Sequence, residues 1–196
     1  MDWSVRGQLA LWVEHHLQVY DLGNLAKQKQ VRLWQEYDTG HLHSTQLTTL
    51  RWSPDGAWLA AGSSDGNVLC WQPATGKLRL RHWHENSLCS LVWSRSFLLL
   101  ISAYARGPVT FWDVDRDIER GSWQAPYLRD LRTVSLPGSD LLAVASQSQI
   151  WVGKMGRPEP AYVLNGQTLA AGNPQGSLAT LEESQDAQPR IHIYQL

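Results

Sequence analysis

The sequence predicts an all-β fold built from about five antiparallel four-stranded units, and three observations predict it. First, two segments of one design lie about 41 residues apart: WSPDGAWLAAGSSDGNVLCW, opening on Trp52 and closing on Trp71, and WSRSFLLLISAYARGPVTFW, opening on Trp93 and closing on Trp112. Second, the apolar runs inside them are about five or six residues long and bounded by Gly, Pro, Asp and Ser, which is strand length with turn punctuation. Third, the chain carries 11 Trp but only 2 Phe. A buried indole N–H needs an acceptor, so many Trp at regular spacing indicate a repeated structural role.

Each element follows in order. WSVRGQLALWVEHHLQVYDL, from Trp3, has the same plan with a shorter second turn. The units from Trp52 and Trp93 are the clearest copies. TVSLPGSDLLAVASQSQIWV, from Thr133, keeps both runs without the opening Trp, and LAAGNPQGSLATL with RIHIYQL forms the last unit. Between units lies one further short run: VRLW, LRLRHW, ERGSW and AYVL. Each unit therefore reads as a four-stranded meander. Asp55-Gly56 and Asp65-Gly66 predict hairpins with type I′ turns, in which glycine supplies positive φ. LLLISA and LLAVAS are apolar at successive positions, so both faces of their sheets must be covered, as in sheets stacked on sheets. A period of about forty with four strands per unit predicts a β-propeller. The expected organisation is one domain over 1–196 with blades at approximately 1–40, 41–82, 83–124, 125–166 and 167–196.

Bulk properties narrow the function. A net charge of −1 with scattered basic residues predicts no nucleic-acid partner and no membrane surface. No apolar run approaches the ~20 residues that span a bilayer. The start of the chain lacks the pattern of a secretory signal, so a cytoplasmic location is expected. Cys70 and Cys89 are too few for a disulfide scaffold and lie in apolar runs, where free cysteine packs as a small hydrophobe.

The chain resembles the WD-repeat β-propeller family, most clearly over residues 43–113. The resemblance implies a hydrogen-bonded chain in each blade: a His before the first strand, a strand Ser or Thr, an Asp in the turn between second and third strands, and a Trp. The chemistry is coherent, because Trp only donates, Asp⁻ only accepts, and Ser and His relay. Carried over by position, the second unit supplies His43, Asp65 and Trp71, with Leu42 in place of the family Gly and Ala61 where the hydroxyl belongs. The third unit supplies His84, Ser102 and Trp112, with Asp113 completing a Trp-Asp pair and Arg106 standing at the Asp position. In the first unit Tyr20-Asp21 stands for Trp-Asp. The expected result is a propeller less stable than one with every network intact.

The ends admit two arrangements. One is a small closed ring with a three-stranded last blade. The other is an open arc, part of a larger propeller or completed by another chain, which exposes apolar faces and seeks a partner.

Several motifs mimic chemistry. The alternate spacing of His41 with His43, and of His82 with His84, puts imidazoles on one strand face in the manner of zinc ligands. The resemblance instead makes His43 and His84 blade residues with exposed neighbours, so no metal and no cofactor is expected. Asp55 and Asp65 lie at opposite ends of one strand, too far apart for paired carboxylates. GSSDG lacks the Lys and the helix of a phosphate loop. A propeller enzyme would need carboxylates and histidines converging on inward strand starts, and none are legible, so no catalytic residue is assigned. The remaining reading is a non-enzymatic scaffold that binds other proteins or peptides through one rim of turns. The candidate partner face comprises His15, His16, Gln46, Ser64, Glu85, Arg106 and Tyr127, with Arg106 and Tyr127 of the types that anchor interfaces.

Overall fold

The computed structural model of the chain describes residues 1–13, 16–22, 32–37, 47–94, 99–124, 133–135, 141–145, 149–154, 157, 159–165, 168–172, 177–182 and 190–195. The strands are β1 (Asp2–Trp3), β2 (Gln8–Val13), β3 (His16–Asp21) and β4 (Arg32–Tyr37) in a first sheet, and β5 (Leu47–Trp52), β6 (Leu59–Ser63), β7 (Asn67–Gln72) and β8 (Lys77–Trp83) in a second. A third holds β9 (Leu88–Trp93), β10 (Leu99–Tyr104), β11 (Pro108–Asp113) and β12 (Ile118–Gln124). A fourth holds β13 (Thr133–Ser135), β14 (Leu141–Ala145), β15 (Gln149–Lys154) and β16 (Tyr162–Asn165). The last joins β17 (Thr168–Gly172), β18 (Ser177–Glu182) and β19 (Arg190–Gln195). Every ladder among the described residues is antiparallel and joins strands consecutive in the chain.

Of the two apolar runs that the sequence assigns to doubly covered sheets, the one in β10 is covered on both faces, and Leu142 and Val144 of the other are buried against the third sheet. Between the first two sheets, Ala10, Leu17 and Val19 meet Leu59, Leu69 and Trp71. Between the second and third, Ala60, Val68 and Cys70 meet Leu91, Leu100 and Trp112. Between the third and fourth, Ala103, Val109 and Phe111 meet Leu142 and Val144. Burial pushes the Cys70 thiol well above its ordinary value, so it stays protonated and inert; neither cysteine forms a disulfide.

Polar ties also cross the layers. Asp2 Oδ2 accepts the Trp52 amide at 2.7 Å, and Arg6 Nε donates to the Asp55 carbonyl at 2.9 Å. Trp93 Nε1 donates to the Arg51 carbonyl at 3.2 Å. Trp123 Nε1 donates to the Arg157 carbonyl at 2.6 Å.

The Asp-Gly turns correct one expectation. Gly56 and Gly66 have φ of 67° and 87°, but neither Asp55 nor Asp65 has positive φ, so these are not type I′ turns. The Gly56 and Gly66 amides donate to the Ser53 and Ser63 carbonyls at 2.9 and 3.1 Å. Each is a turn with a right-handed Asp followed by a left-handed glycine. The reason is the serine at the start of each Ser-x-Asp-Gly. Ser53 Oγ donates to Asp55 Oδ1 at 2.5 Å, and Ser63 Oγ donates to Asp65 Oδ1, which holds the aspartate short of the left-handed region. Ser53 Oγ also accepts the Trp58 amide at 2.9 Å. Ser4, after the first Trp, plays a related part by accepting the amides of Arg6 and Gln8 at 3.1 and 3.0 Å.

Candidate interaction rim

Three of the loops that the sequence assigns to a partner face come together in the structure. The turn Ser63–Gly66 ends β6. The link from His84 to Ser87 joins the second sheet to the third, and the turn Tyr104–Gly107 ends β10. The His84 amide donates to the Gly66 carbonyl at 3.1 Å, and the Ala105 amide donates to the Ser87 carbonyl at 2.9 Å. A Cβ on Gly66 would lie 1.9 Å from the His84 carbonyl oxygen and 2.7 Å from that of Asn86. A Cβ on Gly107 would lie 2.8 Å from His84 Cε1. The link is thus held between two glycine turns. Glu85 and Arg106 are exposed, and Ser64 is partly so.

His84 anchors this rim. Its Nδ1 receives the Asn86 amide at 3.0 Å. A backbone amide only donates, so Nδ1 carries the lone pair and the ring proton sits on Nε2. The imidazole stacks on Tyr104 with centroids 4.4 Å apart. Tyr104 and Arg106 occupy, in the third sheet, the places that Ser63 and Asp65 hold in the second. The hydroxyl–carboxylate pair of one turn is replaced in the other by a buried ring beneath His84 and an exposed guanidinium. Burial holds the Tyr104 phenol up at about 12.

The blade residues are placed as follows. Trp112 Nε1 donates to Ser102 Oγ at 2.9 Å, within a buried layer. Asp65 accepts from Ser63 and, through Oδ2, from Asn67 at 2.8 Å. Trp71 and Ala61 are buried against the first sheet. His16 is exposed at the start of β3. His15, His41, His43, Gln46 and Tyr127 lie outside the described residues. Removing the Ser102 hydroxyl strands the Trp112 N–H in a dry layer, so Ser102→Ala should cost about 1–3 kcal/mol in urea unfolding, while Ser102→Thr should recover most of it.

One assignment needs correction. His82, expected to be an exposed neighbour of His84, is half-buried, with its ring 4.3 Å from Trp112. Burial pushes its imidazole below the ordinary value. The physical reason lies in the ladder: His82 pairs with Val68 as Trp123 pairs with Val109, so both project into the layer shared with the next sheet. The repeat offset from Trp123 was the signal that could have shown it.

Asp113, of the Trp-Asp pair, is buried and receives Arg116 NH1 at 2.8 Å and Arg120 NH2 at 2.6 Å. Burial works to raise its pKa, but the Arg116 and Arg120 hydrogen bonds outweigh it and hold the carboxyl below the usual carboxylate range. Burial likewise opposes the Asp65 carboxylate, and the Ser63 and Asn67 hydrogen bonds win. A carboxyl with a depressed folded pKa stabilises the fold above its unfolded pKa and loses that contribution as pH falls through the folded value. Stability should therefore drop as pH falls below the ordinary carboxylate value of about 4, and Asp113→Asn should flatten that limb of the melting-temperature profile.

Stacked four-stranded antiparallel sheets with turns gathered on a rim define a β-propeller. The chain has the all-β fold of the WD40-repeat propellers, and one repeat of that family matches within it. The family described as WD domain, G-beta repeat matches residues 34–72, from within β4 to the end of β7, so the matched repeat straddles two sheets. The chain is similar to Protein HIR1 of Candida albicans, 31% identical over 88 residues, covering 36% of this chain and 10% of that protein. It is also similar to the Periodic tryptophan protein 2 homolog of Caenorhabditis elegans, 26% identical over 110 residues, covering 56% of this chain and 12% of that one. The chain thus spans about a tenth of the length of these relatives. Its fold matches a chain in the crystal structure of the mitotic checkpoint complex with a TM-score of 0.70 and 22% identity, covering 99% of this chain and 61% of that one. It also matches the Myceliophteria thermophila Cps50 (Swd1) β-propeller domain with a TM-score of 0.63 and 13% identity, covering 97% and 67%.

Proposed function

We propose that the chain is a non-enzymatic protein-interaction scaffold that binds protein or peptide partners through the rim made by Ser63–Gly66, His84–Ser87 and Tyr104–Gly107. The observation that carries this reading is the clamped link. Three loops from two sheets are locked by backbone hydrogen bonds and by the close fit of Gly66 and Gly107 to the His84–Asn86 segment. A preordered surface loses little conformational entropy on binding. It presents exposed Arg106 on one turn and exposed Glu85 on the link tied to that turn, a mixed-charge edge suited to a polar peptide segment. The likeness to a chain of the mitotic checkpoint complex, a multiprotein assembly by its name, supports the class of role.

The experiment is selection from a displayed peptide library against the folded chain, followed by titration of the selected peptides. Arg106→Glu should weaken them by about tenfold or more, as expected for an interface arginine, without shifting the melting temperature. Selected peptides that bind Arg106→Glu and Glu85→Lys as tightly as the parent would remove the rim from consideration.

A further inference from the structure

The rim is closed by a titratable group. Within the link from His84 to Ser87, the Asn86 amide donates to His84 Nδ1 at 3.0 Å. That bond uses the lone pair on Nδ1; a neutral imidazole keeps one such nitrogen, and an imidazolium keeps none. A second proton on the ring therefore sets two donors, Nδ1–H and the Asn86 N–H, against each other. Turning the ring over in place presents Cδ2, which accepts nothing. The Asn86 side chain, whose Nδ2 lies 3.5 Å from Nδ1, can turn its oxygen toward the new proton. The backbone amide has no such option and must leave.

The ring has little room to yield instead. One face stacks on Tyr104, and a Cβ at Gly107 would lie 2.8 Å from Cε1 and 3.3 Å from Nε2. The link is then the part that moves, and it carries the other ties of the rim. The His84 amide donates to the Gly66 carbonyl, the Ser87 carbonyl accepts from the Ala105 amide, and the Asn86 carbonyl lies close over Gly66. One proton thus reaches all three loops.

Charged and titratable groups approach from each neighbouring element. Tyr104, on β10, keeps its proton, because burial holds its phenol up at about 12. Arg106, on the turn that follows, and Glu85, on the link, are exposed. Asp65, on the turn after β6, is engaged by Ser63 and Asn67. His82, on β8, is half-buried with its ring 4.3 Å from that of Trp112. Burial is the main cause that depresses its pKa; Glu119, on β12, works against that, and His84 adds to it. A histidine depressed in this way stabilises the fold above its unfolded pKa, and that contribution is lost as pH falls through the folded value. Acid therefore works against His82 in the same direction as against the Asn86 bond.

We propose that His84 is a proton-operated latch of this rim: neutral, it closes the link over the two glycine turns, and protonated, it releases the link and any partner that needs the closed surface. The effect on partners rests on the rim reading above, whereas the latch itself is read on the free chain.

The test is NMR hydrogen exchange on the free chain between about pH 8 and about pH 5, the interval in which imidazoles change charge. Protection of the Asn86 amide, taken relative to its intrinsic rate, should fall about tenfold or more as pH falls, and the His84 and Ala105 amides should follow. His84→Asn puts an amide oxygen in the place of Nδ1 and does not titrate, so its link should stay closed at both ends of the interval. His82→Phe removes the other imidazole and should keep the parent's pH dependence. If His84→Asn does not fold, the ring nitrogen chemical shifts of the parent decide: Nδ1 should gain its proton over the same interval in which Asn86 loses protection. Unchanged Asn86 protection in the parent, a loss that persists in folded His84→Asn, a loss abolished by His82→Phe, or a loss while Nδ1 stays unprotonated overturns the latch. A selected peptide that depends on Arg106 should bind about tenfold or more weakly at the acid end. One that depends on Arg106 and binds equally at both ends overturns the release of partners and leaves the rim reading standing.

Discussion

Gly66→Ala should be among the most damaging single-methyl changes in the chain. At φ of 87° a non-glycine residue loses about 1–2 kcal/mol. The added Cβ also meets the His84 carbonyl oxygen at 1.9 Å and that of Asn86 at 2.7 Å, both backbone atoms. Overpacking against backbone adds about 1–3 kcal/mol. Against the about 5–15 kcal/mol that holds a domain folded, the sum removes a large share. Gly56→Ala is the matched control, in the other Ser-x-Asp-Gly turn and with φ of 67°. The three atoms nearest its Cβ all belong to the flexible Arg6 side chain, with Cγ at 2.9 Å, so relief costs at most the exposed Arg6–Asp55 hydrogen bond. Urea midpoints should fall much further for Gly66→Ala than for Gly56→Ala. Equal losses would mean that the link does not lie over the second turn.

Trp123→Ala should cost about 3–5 kcal/mol, the range for a large side chain removed from a packed layer. Trp123 is fully buried, meets Phe111 edge-on with centroids 5.2 Å apart, and donates to the Arg157 carbonyl. It also fills the space beside Gly153, where a Cβ would come within 3.1 Å of its Cζ2. Trp123→Phe keeps most of the ring and loses the N–H, so it should cost about 1–2 kcal/mol. Trp83, at the end of the neighbouring outer strand β8, is 62% exposed, and Trp83→Ala should shift stability by less than about 0.5 kcal/mol. Thermal melting of the three variants checks the order, and a Trp83 loss equal to that of Trp123 would contradict this packing.

The sheets were legible because the repeat writes its strands twice. Trp52 and Trp93, and Trp71 and Trp112, fall at one spacing and mark the start and end of the two clearest units. The pairing of Ser102 with Trp112 was legible from the family resemblance, since a lone N–H donor and a hydroxyl sit at the expected positions. The turn type was not, because an Asp-Gly pair read alone omits the serine two residues upstream whose hydroxyl fixes the aspartate. The packing of His82 was hidden for a different reason. Its alternation with His84 looks like ligand spacing in one strand, and only the neighbouring sheet supplies Trp112. Asp113 was visible as half of a Trp-Asp pair, but its partners, Arg116 and Arg120, come from the turn and strand that follow. Local periodicity is written in the chain, whereas the partner of an outward side chain depends on which layer it meets.

The pairing of consecutive strands has a consequence for biosynthesis. Each hydrogen-bonded ladder closes over a short stretch of chain, so it demands little loop-closure entropy and needs no distant segment to be made first. As the polypeptide emerges amino-terminal end first, a sheet completes its own meander while the sheet that will cover its backward face is already in place. Layers of this kind add like courses of brick, each stabilised by its nearest neighbour. The order of synthesis and the order of stacking are then the same.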